Sequence, residues 1–220
     1  KYQQQQGSTG KGIAPCAKSK FGREGVRLVD YNSPLKVKYQ NNIFYPNSER
    51  CSPLQGTILC EGAQGFWLDI NYGNYPYVTS STTLPYSSCS LGFPPQKIRN
   101  IYGAAKIYDT RVGKDPDFDE LPQTNILNKI AEVGNEFGST TGRARKVYWL
   151  NMDKLVQAIN ISGTTHLIVS KIDVLQIVGC YRCIHLNQVH NFISLEGLLK
   201  EVSRIIKSSC YLVEKIIFSD

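Results

Sequence analysis

Short apolar runs rich in β-branched residues alternate along this chain with segments whose apolar positions recur every three or four residues. Runs of the first kind suit buried strands and segments of the second suit helices lying on a sheet, so the pattern predicts an α/β protein. Thr-Ile-Leu-Cys at 57–60, the run 101–108 and the run 166–170 predict three strands. Stretches 125–133 and 152–161 predict helices, the second ending before Gly163. Ser194 predicts the N-cap of a longer helix in which Leu195, Leu198, Leu199, Val202, Ile205 and Ile206 form one apolar face, a core feature and not a functional one. A last strand is expected over 211–218, and residues 29–56, dense in Asn, Ser, Pro and Tyr, read as loop.

Polar motifs follow each of the first three strands. Glu61-Gly62-Ala63-Gln64-Gly65 begins where 57–60 ends, Thr110-Arg111-Val112-Gly113 follows 101–108, and Lys171-Ile172-Asp173 follows 166–170. Open α/β sheets place ligands at the carboxyl ends of their strands, so the three motifs are expected to edge one site. The first is the densest. It runs on through Leu68-Asp69-Ile70, Gly73 and Tyr75-Pro76-Tyr77-Val78-Thr79-Ser80-Ser81, polar and hydroxyl groups in an apolar neighbourhood. Unpaired, such groups cost about 2 kcal/mol or more each. A local Ser/Thr hydrogen-bond network or a polar ligand can satisfy them.

Composition narrows this only a little. With 220 residues, 41% hydrophobic and 20% charged, the chain suits one globular domain over 1–220. No apolar run approaches the roughly 20 residues that span a bilayer, and the polar, glutamine-rich start does not read as a signal peptide, so no membrane partner and a cytoplasmic location are expected. Seven scattered cysteines suit reduced thiols better than a disulfide framework. Cys180, Cys183, His185 and His190 crowd into one segment that reads as a strand, where side chains alternate between faces, so they are expected to be ordinary strand residues and not zinc ligands. The net charge of +7 suggests an anionic partner. Its positive residues form no dense basic and aromatic run and no recognition module, which favours nucleotides over nucleic acid.

The 61–81 stretch closely resembles the signature of the adenylosuccinate synthetase family. Four further blocks follow the family's order: Gly7-Ser8-Thr9-Gly10-Lys11-Gly12-Ile13-Ala14-Pro15 with Arg23-Glu24-Gly25-Val26-Arg27; Thr110 to Gly113; Gly134-Asn135-Glu136-Phe137-Gly138-Ser139-Thr140-Thr141-Gly142-Arg143-Ala144-Arg145; and Ser170 to Leu175. The resemblance covers roughly 7–178. It implies a P-loop-NTPase-like, mostly parallel central sheet with flanking helices. It also implies that the family's first strand, its phosphate loop and its Gly-His-Thr are missing here. Residues 7–12 are not that loop, because a phosphate loop follows a buried apolar strand and these follow Lys1-Tyr2 and four glutamines. Short connections resemble the compact archaeal and viral branch.

The family joins L-aspartate to IMP using GTP, by way of a 6-phosphoryl-IMP intermediate, in AMP biosynthesis. The resemblance implies IMP contacts at Thr9, Arg23, Gln64, Thr79 and Arg143. It implies aspartate contacts at Ser139, Thr140, Thr141, Gly142, Arg143, Ala144 and Arg145, and GTP contacts at Arg145, Lys171, Ile172 and Asp173. An aspartate carboxylate can accept both the N1–H and the 2-amino group of guanine, a donor pair that adenine lacks. Planar guanidinium groups bind carboxylates in bidentate fashion. Arg23 is expected to reach the neighbouring site of a homodimer, although Glu24 stands where the family often has a second arginine. No catalytic residue and no metal ligand is assigned in this chain; the base, the acid and the ligands of Mg2+ are expected in the missing N-terminal segment, and the piece alone is expected to be inactive. Two other readings stay open: a phage-type synthetase joining aspartate to dGMP for a diaminopurine nucleotide, and a non-catalytic nucleotide-binding remnant.

Overall fold

The computed structural model describes residues 10–26, 37–39, 42–44, 56–138 and 142–220. Helix α1 spans Ile13–Gly22, and strands β1 (Val37–Tyr39) and β2 (Asn42–Phe44) pair antiparallel. The segment 29–56 is therefore not loop throughout. Next come β3 (Tyr102–Lys106), β4 (Tyr108–Arg111), the short α2 (Pro116–Asp119), α3 (Asn125–Val133), β5 (Lys146–Asn151) and α4 (Met152–Ser162). The chain continues through β6 (His166–Ser170), α5 (Ile172–Val178), β7 (Tyr181–His185), β8 (Gln188–Phe192), α6 (Leu195–Ser209) and β9 (Lys215–Phe218).

Parallel pairing joins β3 to β6, β6 to β9 and β5 to β7, whereas β4–β5 and β7–β8 are antiparallel. The predicted strand 101–108 passes between two sheets. β3 pairs with β6, and after a single residue β4 pairs with β5. That residue, Ile107, is fully buried and its N–H still donates to Ser170 O at 3.0 Å, which keeps the kink tied to the end of β6.

The helices form where their caps and apolar stripes meet. Thr124, Asn151 and Ser194 each accept a backbone N–H from the first turn of α3, α4 and α6. Such caps contribute about 1 kcal/mol each. Gly163 ends α4 in the left-handed region at φ 69°. On α6 the buried residues are Leu198, Val202, Ile205 and Ile206, on the predicted face. They join one core with Ile107, Tyr108, Leu127, Ile130, Val147, Leu150, Leu167, Val169 and Leu175.

Three further expectations need correction. Residues 57–60 form no strand; they are exposed, Leu59 84% so, and no strand among the described residues pairs with them. The segment holding Cys180 to His190 is two strands, turned at Leu186 and Asn187, whose positive φ values suit a tight hairpin. The last strand starts at Lys215, because Tyr211 and Leu212 lie in an exposed turn after α6.

Candidate functional site

The signature loop is built around one carboxylate. Asp69 is fully buried and accepts hydrogen bonds from the Thr83 N–H (2.6 Å), the Asn71 N–H (2.8 Å) and the Thr82 hydroxyl (3.0 Å). Burial by itself would raise its pKa, but these donors together with the Tyr72 N–H outweigh burial and hold the carboxyl below the usual range. Gly73 closes the turn. A Cβ there would meet Trp67 O and Val78 Cγ1 at 2.6 Å and Asp69 O at 2.7 Å. The Thr79 N–H donates to Leu68 O at 2.8 Å.

Buried Arg111, at the end of β4, pins this loop to the sheet. Its guanidinium donates to Tyr77 O and Trp67 O, and its Nε lies 3.2 Å from Asp115 Oδ2. Asp115 Oδ1 in turn accepts from Asn74 Nδ2 at 2.8 Å. The Thr110-Arg111 motif is therefore a fastening, and an internal network accounts for Asp69, Thr82 and Thr83. Gln64 is different. It is exposed and holds a left-handed backbone at φ 75°. A non-glycine residue there costs about 1–3 kcal/mol, a strain that clusters at functional positions.

A second polar cluster lies where β3, β4 and β5 meet α5. Glu136, its side chain 1% exposed, accepts from Lys106 Nζ on both oxygens at 2.7 Å, from the Tyr108 hydroxyl at 2.7 Å and from Arg145 Nη1 at 2.9 Å. Burial would raise the Glu136 pKa, yet those three donors pull it below the usual carboxylate value. Burial pushes the Lys106 ammonium down, and Arg145 and Lys171 push it the same way against Glu136. Burial also drives the Tyr108 phenol far up, helped by its bond to Glu136 and by the Asp173 charge. Hydrogen bonds thus tie Lys106, Tyr108 and Arg145 directly to Glu136.

Lys171 sits just before α5 in the left-handed region at φ 67°, and its Nζ donates to Gly134 O at 3.2 Å. Asp173 lies in the first turn of α5. Its Oδ1 is buried and has no hydrogen-bond partner among the described residues. Buried acceptors are rarely left so. The loop that carries Gly142 and Arg143 is closed at its base: the Arg145 N–H donates to Glu136 O at 2.9 Å, the Gly138 N–H to Arg143 O at 2.8 Å, and Phe137 bridges Ala144.

Of the residues expected from sequence, Arg145 bonds Glu136, Lys171 bonds the carbonyl of Gly134, Asp173 lies in the first turn of α5 beside buried Ile172, and Gly142, Arg143 and Ala144 lie on the loop before Arg145. Gln64 and Thr79 belong to the signature loop, and Arg23 ends α1 at φ 60°. No hydrogen bond or ion pair among the described residues ties those three to the cluster. Thr9, Ser139, Thr140 and Thr141 lie outside the described residues. Sequence reasoning missed Lys106, Tyr108 and Glu136. The available signal was a lysine in an otherwise apolar strand, two residues before a tyrosine and four before Thr110.

Among the described residues no group of three or more His, Cys, Asp or Glu side chains is placed to hold a metal ion. Cys183 is buried on β7, and His185 Nδ1 lies 3.3 Å from Asp153 Oδ1. No described helix is long and apolar enough to cross a membrane.

The sequence model of the adenylosuccinate synthetase family matches residues 48–182. The adenylosuccinate synthetase of Flavobacterium psychrophilum is 38% identical over 214 residues, taking in 77% of this chain and 49% of that protein. That of Cytophaga hutchinsonii is 36% identical over 209 residues, with 77% and 48% covered. Among solved structures, a fully ligated adenylosuccinate synthetase from Plasmodium falciparum superposes with a TM-score of 0.58 at 25% identity, covering 71% of this chain and 46% of that one. The chain spans about half the length of the curated relatives it matches. On sequence and fold together, this chain belongs to the adenylosuccinate synthetase family.

Proposed function

We propose that this chain supplies the purine, aspartate and guanine contacts of an adenylosuccinate synthetase, which ligates L-aspartate to IMP at the expense of GTP and releases adenylosuccinate, GDP and phosphate. The observation that supports the reading is geometric: Arg145 Nη1 bonds Glu136, Lys171 Nζ bonds the carbonyl of Gly134 two residues before it, and Asp173, two residues after Lys171, has a buried carboxylate oxygen with no hydrogen-bond partner among the described residues. Asp173 accepts the N1–H and 2-amino group of guanine, and the Lys171 stem lies along the base. Arg143 and Arg145 receive the aspartate carboxylates, with the hydroxyls of Ser139, Thr140 and Thr141 and the backbone of Gly142 and Ala144 completing that loop. Gln64 and Thr79 present amide and hydroxyl groups to IMP, whose phosphate is met by Thr9 and by Arg23 of a second copy in a homodimer.

In this scheme the γ-phosphoryl group of GTP passes to O6 of IMP, and the aspartate amine then displaces phosphate at C6. The residues named here orient the reactants and hold no proton of the reaction. Such positioning is worth up to about 7–11 kcal/mol in favourable cases. The test is phosphate release by the full-length gene product with GTP, IMP, aspartate and magnesium. Release that needs both IMP and aspartate supports the proposal. Preference for dGMP over IMP moves it to the diaminopurine reaction, and a folded protein without turnover on either acceptor leaves only a nucleotide-binding role.

A further inference from the structure

Resting on that reading of Arg145, the geometry points to Glu136 as a positioning residue: we infer that its buried carboxylate sets where the Arg145 guanidinium stands and thereby tunes aspartate binding without touching a substrate. Glu136 grips Arg145 twice. Its carbonyl accepts the Arg145 N–H at 2.9 Å, and its Oε2 accepts Nη1 at 2.9 Å. A guanidinium held at one nitrogen still offers its remaining donors as a planar fork. The side chain of Arg145 is 30% exposed while that of Glu136 is 1% exposed, so the pair runs from the core outward to the loop.

The other contacts of Glu136 explain why it does not move. Lys106 Nζ and the Tyr108 hydroxyl, both from the β3–β4 strand, each approach to 2.7 Å. Gly134 makes room for this arrangement, since a Cβ there would collide with the Tyr108 hydroxyl. The carbonyl of the same glycine holds Lys171. A buried carboxylate carries a desolvation cost that apolar packing avoids. Here it balances the clustered positive charge of Lys106 and Arg145, which would otherwise repel.

The experiment is steady-state kinetics of the full-length gene product with Glu136→Gln, Glu136→Asp and Tyr108→Phe, alongside thermal denaturation. Glu136→Gln is expected to raise the aspartate KM about tenfold, the scale of one charge-assisted hydrogen bond, with the IMP KM unchanged. Glu136→Asp keeps the charge and should recover part of that loss. Tyr108→Phe, nearly isosteric and foldable, should raise the aspartate KM about threefold by freeing one side of the carboxylate. An Arg145→Ala background should abolish the effect of Glu136→Gln on aspartate, because the two act as one unit. Lower stability with an unchanged aspartate KM, or equal rises for aspartate and IMP, overturns the inference. If Glu136→Gln does not fold, the Tyr108→Phe result decides alone. A wild-type protein without aspartate-dependent turnover overturns the underlying reading, and the inference with it.

Discussion

Two aspartates, Asp69 and the half-buried Asp109, make opposite demands. Asp69 is over-supplied with donors, so Asp69→Ala strands the N–H groups of Thr83 and Asn71 and should cost about 2–4 kcal/mol, read as a fall in the urea midpoint. Asp109 on β4 is under-supplied. Burial pushes its carboxyl up to about 7, with only the Asn151 N–H and Lys154 working against that. Its folded pKa exceeds the ordinary 3.8, so its contribution to stability is fully present below 3.8 and is lost as pH rises through about 7. Glu136 and Asp69, held low, act the other way: their contributions are present above 4.5 and 3.8 and are lost as pH falls through their folded values. Stability should therefore peak in mildly acidic solution, and Asp109→Asn should flatten the fall on the alkaline side. Denaturation midpoints measured across pH check both limbs.

Gly134 has an ordinary helical φ of −74°, so its requirement is space and not backbone freedom. Gly134→Ala should cost about 1–3 kcal/mol through overpacking against Tyr108 and Ile130 O, with Lys171 displaced as well. Ser194→Ala removes the cap of α6 and should cost about 1 kcal/mol with no effect on substrate KM, a control for stability alone. α6 was legible because its periodicity and its capping Ser194 agree, and β6 because its apolar run is short and rich in β-branched residues. The change of partner at Ile107 was not, since the run 101–108 carries no sign of which neighbour each half will pair with. Residues 57–60 misled for a related reason: apolar, β-branched composition predicts a strand only when a partner edge exists.

Across the whole molecule, the candidate site was legible in part. Arg145, Lys171 and Asp173 were readable from their motifs. Their grouping with Lys106, Tyr108 and Glu136 depends on β3, β4, β5 and α5 converging, a long-range arrangement that no local spacing encodes. The signature loop and the cluster are linked through one strand, whose Tyr108 enters the cluster and whose Arg111 fastens the loop. That strand joins the two parts of the proposed site, in which Asp173 would select guanine while the neighbouring loop holds aspartate. The most direct measurement is the ratio of kcat/KM for GTP over ATP in the full-length gene product and in its Asp173→Asn variant. A strong GTP preference is expected, falling at least about tenfold in the variant, where the amide offers one acceptor oxygen in place of the two of the carboxylate. An unchanged ratio in a folded, active variant would contradict it.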